Sequence, residues 1–573
     1  MKSSFARRAL GLAVTALVVF AANAGPPANA DPSASAADPP YDVLVFSKTA
    51  GFRHDSIPAG IQMIRELGSA NSFTVTATED ANAFNASNLA QYEAVVFLNT
   101  TGDVLNATQQ GAFESYIRGG GGYAGIHSAA DTEHDWPFYG ELVGAYFVSH
   151  PAIQQATVRV ENRAHQATQH LAPAWVRTDE WYNYRTNVRS SARVLATLDE
   201  STYSGGSMGA DHPHTWCKTV QSGRSFYTGS GHTQSSFTES GFRSMILGGI
   251  RYAANRTKAD CRPETGYTAL YNGSTTGWSQ TGPGGFANSD GTLTSSGGMG
   301  MLWYSAKEFR SYSLKLDWRM PGDDNSGVVI GFPAGSDANT ALNQGHEVQI
   351  DATDTADKTT GSVYGFKAAD LAARDAALNP PGEWNTYELL VEGERLQVFL
   401  NGVKINDFTN TDPVRSLTSG HIGIQNHGTG DDVSFRNIRI KELGDTVPRT
   451  GPITGPGGKC VDVSGGSTAD GTKVQLWTCT NGSNQQWTVS GNTLRALNKC
   501  MTVAGGSTAN GAQVQLSTCN GSGAQNWTTG TNSSLVNPQS NKCLDANGGS
   551  TANGTQLIIW TCHGGTNQRW TRP

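Results

Sequence analysis

The sequence predicts a multidomain protein with an open, doubly wound α/β domain, an all-β domain and a C-terminal domain built from three repeats. Three observations predict this fold class. Apolar runs alternate with helical stretches from residue 41 onward, short alternating strands follow after residue 263, and one cysteine-containing pattern occurs three times after residue 450. A chain of 573 residues has room for about three or four domains of ordinary size.

The N-terminal segment has the features of a secretory signal peptide over residues 1–30. Two arginines precede an apolar run, and Ala-Asn-Ala at 28–30 is a cleavage site of small residues; the same triplet at 22–24 is a competing site. Because the apolar run is short for a membrane span, we expect a secreted protein without a membrane anchor. Residues 31–40 are rich in Ser, Ala and Pro and predict a disordered leader.

The α/β domain is predicted over residues 41–258. Its apolar runs, Tyr41 to Phe46 and Tyr92 to Leu98, are typical of strands buried on both faces of a parallel sheet, and helical stretches follow at about 57–67 and 107–118. Open sheets of this kind bind ligands at the carboxyl ends of their strands. Polar residues stand at those ends, at 52–56, 99–103 and 127–128.

Most of the 13 histidines lie in this domain, which contains, in order, the segments FRHDSI, GGGYAGIHSAAD, DEWYNY, HPHTW and FYTGSGHT. Together these segments resemble the ThuA (trehalose utilisation) family over about 41–256. The resemblance implies a class I glutamine-amidotransferase-like fold, whose strand-to-helix turn normally presents a catalytic cysteine. Here that turn contains His127 and Ser128. The absence of a cysteine from the turn argues against amidotransferase chemistry.

The ThuA-like segments bring a candidate pocket of imidazoles and carboxylates to the strand ends. Such side chains suit sugar hydroxyls, proton transfer or a divalent metal, which is the one cofactor for which the sequence makes a case. The alternative is that several of these histidines only complete hydrogen bonds at loop ends. The candidate pocket residues are His54, His127, Asp131, Glu180, His212, His214 and His232.

The all-β domain is predicted over residues 265–443. Alternating stretches are separated by turn residues such as Asn401-Gly402, and many short strands with regular turns are typical of a sandwich or jelly roll. The predicted strands are 311–318, 326–332, 347–350, 386–391, 396–400 and 421–425.

This domain contains the segments NSGVVIGF, HEVQID, GSVYGF, PPGEWNTYELLVEGERLQVFLNGVKINDF, GHIGIQNHG and VSFRNIRIKEL. Together they resemble the 3-keto-disaccharide hydrolase family, which implies a concanavalin-like sandwich. Side chains alternate along a strand, so Glu347, Gln349 and Asp351 are expected to share one face. Related sandwich glucanases carry two glutamates on such a strand, so this order argues against ordinary retaining hydrolysis. His346 also stands where the family is expected to have tyrosine.

Cleavage of a 3-keto-glycoside requires few groups. A ketone at C3 acidifies the C2 hydrogen, so a base can form an enolate that expels the C1 aglycone, after which water can add. Glu347 is the candidate base or metal ligand, and His427 is the candidate acid or base. The catalytic candidates are Glu347, Asp351 and His427, and the candidate substrate-binding residues are Arg319, Gln349 and Tyr364.

A Pro/Gly-rich linker at 444–449 precedes the repeats, which occupy residues 450–573. Each repeat has two cysteines 19 residues apart, a shared GGSTA run and a final Gln-x-Trp. The pattern resembles the ricin-type β-trefoil lectins and implies a disulfide within each repeat, which leaves Cys217 and Cys261 to pair with each other. The implied pairs are Cys460 with Cys479, Cys500 with Cys519 and Cys543 with Cys562.

In the ricin-type family each lobe's sugar pocket uses an Asp after the first Cys, an aromatic residue before the second, and an Asn-Gln pair before the Trp. Repeat two has Thr502, Ser517 and Ala524 at three of these positions and is expected to be structural. The alternative is that all three lobes serve the fold alone. The candidate carbohydrate-binding residues are Asp462, Trp477, Asn484, Gln485, Asp545, Trp560, Asn567 and Gln568.

The charge pattern and the three domains together predict a function. A net charge of −7 without a basic cluster argues against nucleic acid as a partner. We therefore expect a secreted, carbohydrate-active protein that cleaves 3-keto-glycosides by hydrolysis, or by elimination and hydration, while its lectin domain binds glycan. Two alternatives stay open: a non-catalytic multivalent glycan-binding protein, and catalysis in the ThuA-like domain alone.

Overall fold

The computed structural model describes residues 38–335, 337–443 and 449–573. None of the helices in these ranges is long and apolar enough to cross a membrane. Three predicted segments lie wholly or largely outside the described residues: the signal peptide at 1–30, the leader at 31–40 and the linker at 444–449.

The first domain alternates strands and helices, as its sequence predicts. Its strands are β1 (Tyr41–Phe46), β2 (Phe73–Thr78), β3 (Ala94–Leu98), β4 (Gly122–Ile126), β5 (Phe147–Ser149), β6 (Gln154–Val160), β7 (Ala174–Asp179), β8 (Asn183–Tyr184), β9 (Arg193–Leu198), β10 (Pro213–Val220) and β11 (Gly223–Thr228). Its α-helices are α1 (Ile57–Ala70), α2 (Ala86–Leu89), α3 (Ala107–Arg118), α4 (Pro137–Val143) and α5 (Ser240–Ala253).

One sheet organises this domain in the order β2-β1-β3-β4-β11-β10-β9-β6-β7, with β5 and β8 paired separately. The strands β2, β1, β3, β4 and β11 form the parallel part of the sheet, whereas β11 pairs antiparallel with β10 on its other side. All five residues of β3 are buried, because helices cover both faces of this part of the sheet. The carboxyl ends of the parallel strands therefore meet at one edge, where the predicted polar segments follow them.

The second domain is an antiparallel sandwich, which confirms the predicted fold class. Its strands are β12 (Thr268–Tyr271), β13 (Trp278–Thr281), β14 (Gly285–Ser289), β15 (Thr292–Ser296), β16 (Gly300–Tyr304), β17 (Tyr312–Arg319), β18 (Asn325–Phe332), β19 (His346–Asp351), β20 (Asn385–Glu392), β21 (Arg395–Leu400), β22 (Val403–Thr409), β23 (His421–Asn426) and β24 (Ser434–Glu442). Its α-helices are α6 (Ala338–Gln344) and α7 (Leu371–Ala377).

The sandwich consists of one sheet in the order β14-β15-β24-β17-β20-β21-β22, with β12 beside β24, and a second in the order β13-β16-β23-β18-β19. On β19, Val348 and Ile350 are fully buried in the core between the sheets. Because side chains alternate along a strand, Glu347, Gln349 and Asp351 lie on the opposite face of the second sheet.

Buried ion pairs connect the first two domains, and a disulfide anchors the segment between them to the first domain. Cys217 of β10 is bonded to Cys261, as predicted by elimination. The carboxylate of Glu264 contacts Arg193 of β9 at 2.8 Å and Arg439 of β24 at 2.5 Å, and Lys315 of β17 lies 3.3 Å away. Removing one partner would leave an uncompensated buried charge, so these contacts favour a fixed junction.

The third domain is a curled β-trefoil sheet. Its strands are β25 (Arg449–Gly451), β26 (Cys460–Val463), β27 (Thr472–Trp477), β28 (Trp487–Ser490), β29 (Thr493–Ala496), β30 (Lys499–Val503), β31 (Val514–Ser517), β32 (Thr528–Thr529), β33 (Leu535–Asn537), β34 (Lys542–Ala546) and β35 (Thr555–Trp560). Each predicted within-repeat disulfide is formed.

The repeats are joined by one cyclic set of contacts. The Asp or Asn that follows each GGSTA run accepts a hydrogen bond from the backbone N–H of a threonine in the next repeat: Asp470 from Thr518 at 2.8 Å, Asn510 from Thr561 at 2.9 Å and Asn553 from Thr478 at 2.9 Å. The shared run therefore closes the trefoil.

Candidate functional sites

Four side chains that follow strands of the first domain's sheet meet in one cluster. His54, His127, Glu180 and His232, called the His–Glu cluster below, follow β1, β4, β7 and β11 in the chain, and their ligand atoms all lie within 4.8 Å of one another. Glu180 Oε2 is 3.4 Å from His127 Nε2 and 3.1 Å from His232 Nδ1. Those two nitrogens are 3.2 Å apart.

The turn after β4 fixes the orientation of His127. Its backbone has φ 50°, a left-handed conformation that is strained for a residue with a Cβ. The ring Nδ1 lies 2.8 Å from the carbonyl of Gly229. Since a carbonyl only accepts, Nδ1 carries the hydrogen and donates it, and Nε2 faces the cluster.

The cluster holds an ionised carboxylate among imidazoles. Burial raises the pKa of Glu180, but hydrogen bonds from His127 and His232 outweigh burial and hold that pKa well below its usual range. The second carboxylate oxygen of Glu180 contacts His150 Nδ1 at 2.9 Å. Burial and the two neighbouring histidines lower the pKa of His54 to about 3, so its ring stays neutral. Burial lowers the pKa of His232, but Glu180 outweighs this and raises it overall.

The other three predicted pocket residues lie outside the cluster. Both ring nitrogens of His212 are engaged, one with Glu200 and one with the carbonyl of Tyr182, each at 2.8 Å. His214 is buried and contacts Ser230 Oγ at 3.0 Å. Asp131 pairs with His134 at 2.8 Å. His150 contacts Glu180 without a motif that could have identified it from sequence.

A groove of about 480 Å³ lies on the outer face of β19 in the second domain, lined by Glu347, Gln349, Tyr364, Gln425 and His427 among others. Glu347 is 9% exposed, and burial raises its pKa to about 8. Its side chain lies over Gly327 of β18: a Cβ there would come within 2.6 Å of Glu347 Cγ. The glycine therefore makes room for the carboxyl group.

Three oxygen atoms in this groove lack donors. Glu347 Oε1, Gln349 Oε1 and Gln425 Oε1 are buried and accept no hydrogen bond from the residues that the structure describes. A buried acceptor without a partner costs about 1–3 kcal/mol. The arrangement is therefore suited to a ligand that donates several hydrogen bonds. Gln425 was missed in the sequence because it belongs to a distant strand, β23.

His427 forms a dyad at the rim of the groove. Its Nδ1 donates to Asp431 Oδ2 at 3.0 Å, and its side chain is 48% exposed. A carboxylate on Nδ1 fixes the tautomer and leaves Nε2 free for proton exchange. Asp431 was not predicted, although its spacing of four residues from His427 was a signal for such a pair.

Of the remaining predicted residues of this domain, one lines the groove and two lie outside it. Tyr364 lines the groove and is 39% exposed. Asp351 does not line it: its Oδ2 accepts from Asn325 at 2.7 Å. Arg319 lies outside it as well, 5.0 Å above the ring of Trp384. Among the described residues, Glu347 belongs to no group of three His, Cys, Asp or Glu side chains spaced for a metal.

Repeats one and three of the trefoil each present a carboxylate beside an exposed indole. Asp462 Oδ2 accepts hydrogen bonds from Asn484 at 2.7 Å and Gln485 at 2.9 Å, and Trp477 is 39% exposed. In repeat three the same contacts measure 2.8 Å and Trp560 is 41% exposed; the carboxylate is that of Asp545 and the donors are Asn567 and Gln568.

The glutamines and tryptophans of the Gln-x-Trp sequences are buried and contribute to the fold. Gln485 and Gln568 are buried, and each also hydrogen-bonds the backbone of its own repeat. In repeat two, Gln525 donates to Thr502 Oγ1 at 3.1 Å instead of to a carboxylate. Asp462 and Asp545 are also buried, each 3% exposed, so the more accessible groups of each pocket are the Asn and the exposed Trp.

Comparison with known families assigns each domain. Residues 42–253 match the model of the ThuA family, described as trehalose utilisation. Residues 266–441 match a 3-keto-alpha-glucoside-1,2-lyase-like domain. Residues 449–570 match the ricin-type beta-trefoil lectin domain.

Solved structures are similar to single domains of the chain. A candidate ThuA-like protein from Bacteroides uniformis is 22% identical, covers 40% of this chain and 95% of its own, and has a TM-score of 0.34. A candidate glycosyl hydrolase from Parabacteroides distasonis is 25% identical, with 31% and 94% covered and a TM-score of 0.28. A non-toxic homologue of type II RIPs from Momordica charantia, solved with α-methyl-D-galactoside, is 32% identical, with 22% and 47% covered and a TM-score of 0.20.

The chain is thus a multidomain protein with a ThuA-like α/β domain, a β-sandwich of the 3-keto-disaccharide hydrolase type and a ricin-type β-trefoil. These matches support a carbohydrate-active protein with a glycan-binding module.

Proposed function

We propose that this protein is a secreted enzyme that cleaves 3-keto-glycosides in the groove of its second domain and binds glycan through its trefoil. The observation that carries the proposal is the set of three buried oxygen acceptors, on Glu347, Gln349 and Gln425, in the groove. A sugar supplies several hydroxyl donors within a few ångströms, so it would satisfy these acceptors together.

The aromatic side chains of the groove support a sugar ligand. Tyr364 and Phe366 both line it and are 39% and 38% exposed. An exposed aromatic face beside clustered acceptors suits a pyranose, which has both apolar C–H surfaces and hydroxyl edges. Arg415, also in the lining, contacts Phe366 at 4.8 Å and adds a charged donor.

Glu347 is suited to remove the C2 proton of a 3-keto sugar. A carboxyl group with a pKa near 8 is a stronger base, once ionised, than an ordinary glutamate, and its pKa lies near a neutral working pH. The C2–H electrons form the enolate at C3, and collapse of the enolate breaks the C1–O bond. The departing oxygen takes a proton from His427, whose Nδ1 is held by Asp431.

Water completes the reaction. Its oxygen adds at C1 of the resulting enone and one of its protons returns to His427, while the proton held by Glu347 returns to C2, so the net change is hydrolysis of the glycoside. If water does not add in the site, the enone is released and the enzyme acts as a lyase. Both outcomes use the same first step, which an unoxidised glycoside cannot undergo because its C2 hydrogen is not acidic.

The test is aglycone release from a 3-keto-glucoside and from its unoxidised parent, each with and without a chelator. Release from the keto substrate alone supports the proposal. Release from neither substrate would contradict it and favour a non-catalytic, multivalent glycan-binding protein.

The trefoil is proposed to bind glycan through repeats one and three. In each, an ordered carboxylate lies beside an exposed indole, namely Asp462 with Trp477 and Asp545 with Trp560. The double variant W477A/W560A should elute early from glycan affinity columns that retain the native protein, whereas S517A in repeat two should not. Equal retention of both variants would contradict this assignment.

Secretion is proposed from the signal peptide predicted at residues 1–30. The four disulfides favour an oxidising compartment. N-terminal sequencing of protein collected from the medium should begin after residue 30 or, at the competing site, after residue 24. An uncleaved N-terminus on protein retained inside the cell would contradict the proposal.

A further inference from the structure

We infer that the His–Glu cluster of the first domain binds one divalent transition-metal ion, with Zn²⁺ as the ion its donor set favours. The proposed ligands are His54, His127, Glu180 and His232. The inference concerns a different domain from the groove and does not depend on the chemistry proposed there.

The donor set is selective for this class of ion. Three imidazoles and one carboxylate suit first-row transition ions such as Zn²⁺, whereas Mg²⁺ and Ca²⁺ prefer oxygen ligands throughout. Glu180 is the one carboxylate of the set, and it supplies negative charge toward a divalent cation.

The spacing of the ligand atoms allows them to bind one and the same metal ion. His127 Nε2, His232 Nδ1 and Glu180 Oε2 form a triangle with edges of 3.1, 3.2 and 3.4 Å. Ligand atoms about 2.0–2.1 Å from one metal are about 2.9–3.4 Å apart at octahedral to tetrahedral angles. His54 completes the set within 4.8 Å.

The three rings are arranged around one point. The ring centroids of His54 and His127 are 5.0 Å apart, those of His54 and His232 4.9 Å, and those of His127 and His232 5.2 Å, with interplanar angles of 87°, 86° and 78°. A ligating imidazole has its centroid about 3.2 Å from the ion, so two such rings are about 4.5–5.2 Å apart. The observed separations lie in that range.

Outer contacts hold the ligands as metal sites require. His127 donates Nδ1–H to the carbonyl of Gly229, which directs the Nε2 lone pair into the cluster. The second oxygen of Glu180 contacts His150, so the carboxylate is held from outside as well. These contacts direct His127 Nε2 and Glu180 Oε2 toward the centre of the cluster, where they lie 3.4 Å apart.

An ion can reach the cluster from solvent. The His232 side chain is 21% exposed, and Phe52, whose ring is 4.9 Å from that of His54, is 68% exposed. The other group with metal-ligand spacing among the described residues combines His165 with Cys217 and Cys261. Those sulfurs form a disulfide, which leaves the His–Glu cluster as the candidate.

The test measures metal binding without reference to catalysis. The mature full-length protein is freed of metal with a chelator, dialysed against Zn²⁺ and analysed by mass spectrometry for bound metal; Co²⁺ is then used as a spectroscopic probe. We expect one additional equivalent in the native protein relative to E180Q, and strong visible Co²⁺ bands that E180Q and H232Q lack. Affinity should fall at least about tenfold in these variants.

H170Q is the matched control, because His170 is an exposed histidine of the same domain whose Nε2 contacts the carbonyl of Gly241. It should bind metal as the native protein does. Circular dichroism checks the fold of every variant, and H232Q, which changes a partly exposed residue, decides the outcome if E180Q does not fold. Equal Zn²⁺ binding by native protein, E180Q and H232Q would overturn the inference, as would the absence of Co²⁺ bands from the native protein.

Discussion

Two buried glutamates in neighbouring domains have opposite electrostatic surroundings. Glu180 is 6% exposed and contacts His127, His150 and His232; of these, His127 and His232 keep its carboxylate ionised although burial opposes this. Glu347 is 9% exposed, and burial without a charged partner raises its pKa to about 8. Similar burial therefore produces a carboxylate suited to hold a cation in one domain and a proton-carrying carboxyl group in the other.

The comparison shows that the charged neighbours of a buried carboxyl group, more than its degree of burial, determine its protonation state. Desolvation disfavours the charged form at both positions, and only at Glu180 do imidazoles compensate for it. The two sites can be separated experimentally because a Gln substitution removes ionisation from either with little change of shape.

The largest expected effect is on turnover. E347Q should lower the rate of aglycone release from a 3-keto-glucoside about 10²–10⁴-fold, because it removes the group proposed to take the C2 proton. Substrate binding should change much less, since the amide keeps a hydrogen-bonding oxygen. Single-turnover kinetics and direct titration with the keto substrate separate the two quantities.

Two substitutions sharpen this result. E442Q changes an exposed glutamate at the end of β24 that pairs with Lys307, and it should leave the rate within about twofold. E180Q should also leave the rate of aglycone release within about twofold if catalysis takes place in the second domain. A large loss of turnover in E180Q with normal turnover in E347Q would move catalysis to the His–Glu cluster.

The next largest effect is on the free energy of unfolding. Its pH dependence should change in opposite directions in the E347Q and E180Q variants. The folded-state pKa of Glu347 is raised, so its stabilising contribution is fully present below the unfolded pKa of about 4.5 and is lost as pH rises through about 8. E347Q should therefore gain stability relative to the native protein as pH rises from 5 to 9. The expected gain is about a few kcal/mol, which follows from the raised pKa of Glu347.

E180Q should show the reverse. The folded-state pKa of Glu180 is lowered, so its contribution is present above about pH 4.5 and is lost as pH falls through the folded pKa. At pH 7 this variant should be less stable than the native protein, by about 1–3 kcal/mol. Pulse proteolysis in urea with a chelator present, analysed by peptide mass spectrometry, follows each domain separately. The same pH trend for both variants would contradict the comparison.

The smallest expected effect concerns the space around Glu347. G327A introduces a Cβ that would come within 2.6 Å of Glu347 Cγ and 2.7 Å of its Cδ, so the carboxyl group must move. We expect turnover to fall about tenfold, because a displaced Glu347 carboxyl group would be misaligned with the C2 hydrogen of the substrate. G430A is the matched control, because a Cβ at Gly430 meets no atom within 4 Å. Equal turnover in the two variants would show that the position of Glu347 is not critical.

Local pattern was sufficient for the elements and for the symmetric parts of the chain. The apolar run from Tyr41 predicted β1 to the residue, and alternation placed Glu347 and Gln349 on one face of β19. The resemblance of the repeats to the ricin-type lectins implied each trefoil disulfide, and all three are formed. These features depend on neighbours in sequence or on repetition, so one chain was enough to infer them.

The partners of the functional groups required the tertiary structure. Sequence grouped seven residues into one pocket of the first domain, but loop geometry brought His54, His127, Glu180 and His232 together and engaged His212, His214 and Asp131 elsewhere. It also brought His150 to Glu180 and Gln425 to the groove.

The sequence by itself determined the multidomain fold class, several strands and the three repeats, and its resemblance to the ricin-type lectins implied the disulfides within them. Only the tertiary structure decided that one buried glutamate, Glu180, meets imidazoles while the other, Glu347, meets uncharged neighbours. The physical reason is that hydrophobic periodicity and repetition are local properties of the chain. Electrostatic environment, by contrast, is a sum over groups that are distant in sequence and adjacent only after folding.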